Sequence, residues 1–135
     1  IVPELEIFDF GMINVAHVMR AKGQLTAPLV ANLFFGNIAG MQATPAEFGV
    51  AIDRLPEPTL WSATGIGDFQ FTAQTFAVAS GGGVRVGLED GIWFDRARTR
   101  LATNPALVER VHTLLQMHER PLLTPAAMRA YLAGP

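Results

Sequence analysis

Apolar and polar positions along the chain alternate between two periods, one near 2 and one near 3.6. Leu5 to Phe10 reads as a first strand, with Glu4 and Glu6 on the same parity as Phe8 and Phe10. Asn14 to Lys22 has helical spacing, with Asn14 in the N-cap position and Gly23 as its stop. Pro28 to Phe35 is almost continuously apolar, as expected of a strand covered on both faces. Thr44-Pro45-Ala46-Glu47 is a capping box for a helix running from Pro45 to Leu55, which Pro56 and Pro58 end. Thr59 to Ile66 is the third strand, and Asp68 stands where it would cap a helix from Phe69 to Ser80. Gly81-Gly82-Gly83 leads into a fourth strand that runs toward Glu89. A partly charged loop follows, then the longest helix, from Thr103 or Asn104 to about His118. A last helix is opened by Thr124 and Pro125 and ends near Ala133.

Four strand-helix units plus a terminal helix predict an α/β fold with a parallel sheet and right-handed crossovers. The 135 residues are enough for one domain. Charged residues make up only 16% of the chain, against about 25% in an ordinary globular domain, while apolar residues reach 50%. That imbalance predicts surface covered by something outside these residues. The formal net charge of −2 and the lack of a Lys/Arg run leave no footprint for nucleic acid or a membrane surface. Residues 23–46 carry no charge, yet Pro28, Asn32, Asn37 and Gln42 interrupt them, so a strand and loop fit better than a membrane span. With no cysteine, disulfides and thiolate chemistry are excluded. A first segment that is acidic and strand-like, with no basic leader, fits a cytoplasmic protein.

The segment that changes this picture is Val84-Arg85-Val86-Gly87-Leu88-Glu89-Asp90-Gly91, which puts three charges into an apolar strand. In βα folds the C-terminal ends of strands are where ligands and catalytic groups collect. If the strand stays extended, Arg85 and Glu89 lie roughly 13 Å apart. Each then needs its own partner, a carboxylate or oxyanion for Arg85 and a cation or donor for Glu89. A structural ion-pair network accounts for the same residues. Glu4 and Glu6 are the other acids on a strand; Glu4 is the candidate substrate contact, with a salt bridge at the far end of the sheet as the alternative. The Gly36-Asn37-Ile38-Ala39-Gly40 loop has the order strand, glycine-rich loop, capped helix, which suits a phosphate or a coenzyme A tail. Gly81-Gly82-Gly83 precedes its strand, the wrong order for that role. His17, His112 and His118 have no metal-ligand spacing, and no Gly-x-Ser-x-Gly nucleophile elbow occurs.

Val84 to Asp90, followed by Ile92-Trp93-Phe94-Asp95 and Leu101-Ala102-Thr103-Asn104, resembles the signature of the β-keto acid cleavage enzymes. Pro3 to Asp9, Trp61 to Gly67 and Thr124-Pro125-Ala126 extend the resemblance over nearly the whole chain. It implies a zinc-dependent (β/α)8 barrel of which this chain is the C-terminal half. The implied reaction is acyl exchange between a β-keto acid and acetyl-CoA, giving acetoacetate and a new CoA thioester. Carried over position by position, Glu89 matches a zinc ligand, Asp90 the general base and Arg85 its arginine partner. The remaining Zn2+ ligands are implied to be histidines of the N-terminal half, and no His-x-His occurs here. Gly83 and Gly91 stand where the family commonly has His and Asn. Half a barrel is either part of a longer polypeptide, paired with another half or with a second copy in a homo-oligomer, or a small open sheet. Function divides the same way, between the catalytic half of an acyl-exchange transferase and a non-catalytic assembly or ligand-binding module.

Overall fold

The computed structural model describes residues 2–26 and 28–134. In chain order the elements are β1 (Glu4–Ile7), α1 (Phe10–Ala21), β2 (Leu29–Phe35), α2 (Pro45–Asp53), β3 (Thr59–Gly65), a 3-10 turn (Gly67–Phe69), α3 (Gln70–Ala79), β4 (Gly83–Val84), α4 (Asn104–Met117) and α5 (Pro125–Ala133). The strands form one parallel sheet in the order β1-β2-β3-β4. Among the described residues no helix is long and apolar enough to cross a membrane.

Side-chain parity sorts the sheet into two unlike faces. Leu5, Ile7, Ala31, Leu33, Phe35 and Ala63 share one parity and meet Ile13 of α1, Phe48 and Ala51 of α2, and Ala73 and Ala77 of α3 in the main core. Val111 and Leu115 of α4 extend it beside Val78, Val84 and Val86. Helices α1 to α4 thus gather on one side, the arrangement that repeated right-handed crossovers produce. Helix α5 buries no residue in that layer and meets the sheet through Tyr131, whose hydroxyl donates to Leu29 O at 3.0 Å. Phe48 sits at the middle of this layer. It is buried, its ring stacks on Phe35 at 4.6 Å, and it meets Phe76 and Trp61 edge-on at 5.4 and 6.0 Å. Across the register the other parity reads Glu4, Val30, Leu60 in one layer and Glu6, Asn32, Ser62, Gly83 in the next. Phe8, Phe34 and Thr64 follow, with Phe8 stacked on Phe34 at 4.3 Å. This second, inner face mixes polar side chains, Glu4, Glu6, Asn32, Ser62 and Thr64, with apolar ones, Val30, Leu60, Phe8 and Phe34.

β2 and β3, which carry no charged residue, are central and paired on both sides. The true edges are blunted, β1 by its two glutamates and β4 by its two-residue length. Local capping also differs from expectation in two places. Asp9, not Asn14, caps α1 by accepting from the Met12 N–H at 2.9 Å, so the helix starts a turn earlier. Asp68 caps nothing; the 3-10 turn precedes α3 and Asp68 pairs with Arg98 instead. Thr44, Thr103 and Thr124 do cap α2, α4 and α5, each with Pro in the first turn. Glu47 closes its box two residues further back, on the Gln42 N–H at 2.7 Å.

Glycine matters most beside the aromatics. A Cβ on Gly82 would lie 2.1 Å from the Trp61 ring, so the chain can enter β4 only without a side chain there. Truncating Phe48 to Ala in the full-length protein should cost about 3–5 kcal/mol of unfolding free energy, the usual cost of deleting a buried aromatic. Denaturant titration checks this, and a loss below about 1 kcal/mol would show that Phe48 is not the centre of the helix-sheet layer.

Candidate active site

β4 ends earlier than its sequence suggests. Arg85 N–H still donates to Ala63 O at 3.0 Å, but beyond it the chain turns out of the sheet. Gly87 O accepts from Asp90 N at 3.2 Å and from Gln70 Nε2 at 3.2 Å; Leu88 N donates to Asn104 Oδ1, and Gly67 N donates to Asp90 O at 2.6 Å. These bonds pin residues 87–90 as a turn. The expected separation of about 13 Å between Arg85 and Glu89 therefore does not occur. Arg85 NH2 lies 3.1 Å from Glu89 Oε2 and NH1 lies 3.2 Å from Asp90 Oδ1. The guanidinium also lies over the Phe34 ring, 4.7 Å from its centre.

The two carboxylates differ in exposure, and that difference sets their chemistry. The Asp90 side chain is 3% exposed and that of Glu89 is 82% exposed. Burial pushes the Asp90 carboxyl above its ordinary value, and the negative fields of Glu89 and Glu6 add to the rise. Arg85 and the Thr64 hydroxyl, which donates to Oδ2 at 3.1 Å, pull the other way without cancelling it. Asp90 is thus a desolvated carboxylate, held at both oxygens and poised to take a proton at a higher pH than a solvated one. Such a group at the C-terminal end of parallel strands has the profile of a general base.

Glu4 is not brought to this cluster. Its Oε1 accepts from Asn32 Nδ2 at 2.7 Å in the layer where the strands begin, and Ser62 Oγ donates to Asn32 Oδ1. Glu6, one layer nearer the strand ends, is the acid whose field reaches Asp90. The Gly36 to Gly40 loop has most of its amides committed internally. Gly36 N and Gly40 N donate to Met41 O and Asn37 O, Ala39 N to Asn37 Oδ1, and Met41 N to Phe8 O. The Gln42 amide fills the loop by donating to Asn37 O and Gly40 O. For a phosphate this leaves the Asn37 and Ile38 amides, for which no acceptor stands among the described residues.

A model of the beta-keto acid cleavage enzymes matches residues 1–133. The chain belongs to that family. It is 33% identical over 130 residues to a 3-keto-5-aminohexanoate cleavage enzyme of Acetoanaerobium sticklandii, an alignment covering 96% of this chain and 47% of that protein. It is 34% identical over 136 residues to a 3-oxoadipate:acetyl-CoA acetyltransferase of Cupriavidus necator, covering 98% and 48%. A 3-dehydrocarnitine:acetyl-CoA trimethylamine transferase of Rhizobium meliloti is 30% identical over 130 residues, covering 96% and 43%. The chain spans about half the length of these curated relatives.

The zinc ion that the resemblance implies requires about three protein ligands. Among the described residues no group of three or more His, Cys, Asp or Glu side chains is placed to hold a metal. Glu89 fits as one donor, because its carboxylate is exposed and accepts from Arg85 alone. His17 is part of no such group; its Nε2 lies 2.7 Å from Arg54 O at the C-cap of α2. Thr64, Asn32 and Ser62 were not singled out as functional from the sequence, although a polar residue on an otherwise apolar strand marks each of them.

The raised Asp90 pKa fixes the sign of a pH effect. The folded state holds this proton more tightly than the unfolded chain, so the penalty is absent below the ordinary value of 3.8 and fully present above the raised folded value. As pH rises from below 3.8, stability of the full-length protein should fall relative to its Asp90→Asn variant. Denaturant titration across that range measures the difference, and a flat or inverted trend would contradict the assignment.

Proposed function

We propose that this chain carries the proton-handling part of an enzyme that exchanges acyl groups between a β-keto acid and acetyl-CoA. Acetoacetate and a new CoA thioester are the products. The observation that carries the proposal is the Arg85 fork, which holds one buried and one exposed carboxylate together at the strand ends, in a chain of the beta-keto acid cleavage family.

Asp90 takes a proton from the carbon between the keto and carboxylate groups. Its environment supports this, because burial favours the protonated form while Arg85 and Thr64 fix the direction of the oxygens. Arg85 keeps Asp90 oriented and offsets the anionic charge of the site. Glu89 would hold Zn2+ through its exposed carboxylate, with further ligands from outside these residues. When bound there, the ion supplies Lewis-acid polarisation of the keto oxygen. Glu4 as a substrate contact would require substrate to reach down the inner face, past Glu6 and Asn32.

The sheet itself is proposed to be half of a (β/α)8 barrel. Four parallel strands in sequence order, with α1 to α4 on one side and with Glu4, Glu6, Asn32, Ser62 and Thr64 on the other, support this, as does a chain about half the length of its relatives. The rest of the barrel would come from the N-terminal half of the polypeptide or from a second copy.

In the full-length protein, Asp90→Asn should lower acetoacetate formation by roughly 10²- to 10⁴-fold while zinc content stays near the native level. Glu89→Gln should lose the metal as well. Enzymatic assay of acetoacetate from a panel of β-keto acids, with metal analysis on the same samples, tests both. Equal zinc loss in the two variants would contradict these roles, and absence of acetoacetate from the native protein with every acid would overturn the proposed reaction.

A further inference from the structure

Beyond the mouth, residues 91–102 fold back on themselves. Trp93 and Leu101 form an antiparallel bridge, Ala102 N donates to Ile92 O at 2.8 Å, and Asp95 ties the tip by accepting from Thr99 N and Arg100 N. Between this hairpin, the start of α3 and Arg110 of α4 lies a cleft of about 530 Å³, within the usual range of roughly 300–1,000 Å³ for small-molecule sites. It begins beside the proposed base, since Gly91 follows Asp90 and Gly67 donates to Asp90 O, and both line it.

The charge in this cleft is unbalanced. Arg96, Arg98 and Arg110 face two carboxylates, and Asp95 is already occupied by the Thr99 and Arg100 donors. Arg98, itself in the left-handed region at φ 57°, is answered by Asp68 at 3.2 Å. Arg96 and Arg110 have no carboxylate partner among the described residues. Arg110 is half-buried between the Phe71 and Phe94 rings and donates to Gln70 Oε1, Gln74 Oε1 and Phe94 O, three neutral acceptors for five N–H groups. Gln74 Nε2, buried beside it, has no acceptor among the described residues. Donors therefore outnumber acceptors around a cation that burial disfavours. Phe71 and Ile92, each about half exposed, add apolar surface to the same cleft.

We infer that this cleft binds the phosphate-bearing nucleotide end of the CoA thioester, with Arg96 and Arg110 on phosphate oxygens and the base against Phe71 and Ile92. This rests on the acyl-exchange proposal. The position supports it, because the same cleft carries Gly91, next to the proposed base, and the two arginines, Arg96 and Arg110. Arginine suits the phosphates through its planar fork, and the aromatic wall accepts a purine face.

The test uses the full-length protein. Calorimetry with adenosine 3′,5′-bisphosphate should show binding that Arg96→Glu weakens about tenfold, while inorganic phosphate binds far more weakly. In kinetics, preference for acetyl-CoA over acetyl-pantetheine, which lacks the nucleotide, should fall by a similar factor in Arg96→Glu and recover in Arg96→Lys. Arg129→Glu, the same charge change on the exposed face of α5, should leave that preference unchanged. No bisphosphate binding, or binding indifferent to Arg96, would overturn the site. Phosphate binding as tightly as bisphosphate would overturn its nucleotide character. If bisphosphate binding depends on Arg96 but no β-keto acid yields acetoacetate, the cleft stands as a nucleotide site and the acyl-exchange reaction falls.

Discussion

A single guanidinium, that of Arg85, is shared between a carboxylate removed from water and one left in it. Each side of this arrangement constrains the other. Without Arg85, Asp90 would be a buried acid with only a threonine hydroxyl to answer it, and burial would favour its neutral form further. Without the turn at residues 87–90, the same three side chains would stand apart along a strand. The turn in turn depends on α3, because Gln70 and Gly67 reach across to Gly87 O and Asp90 O. The site is built by two adjacent βα units acting together.

The rest of the fold can be understood as support for that corner. One parity of the sheet is committed to helices and packs around Phe48, while the other is free to carry Glu6, Asn32, Ser62 and Thr64 as a polar column leading to Asp90. A parallel sheet covered on one side by its crossovers leaves its other side for chemistry.

Much of this was legible in the residues. Threonine followed by proline marked the starts of α2, α4 and α5, and the alternating pattern gave four parallel strands in order. The run from Arg85 to Asp90 stood out because charge in an apolar strand needs a partner. What escaped reading was the turn. A local pattern cannot show that Gln70, seventeen residues away, will hold Gly87 O, and so a strand was expected to run on to Glu89. Asp68 misled for a related reason: an acid before a helix is a cap unless a distant arginine, here Arg98, claims it. The arginine cleft lay equally beyond sequence reading, since Arg96 and Arg110 come together only through the fold.

The central claim is that Arg85 holds down the affinity of Asp90 for its proton against the effect of burial. Carbon-13 NMR titration of the Asp90 carboxyl, in the full-length protein and in its Arg85→Gln variant, measures this directly. The account predicts that Asp90 titrates above the ordinary aspartate value of 3.8 in the native protein and higher still once Arg85 is replaced. An Asp90 titration at or below the ordinary value, or one that Arg85→Gln leaves unmoved, would contradict it.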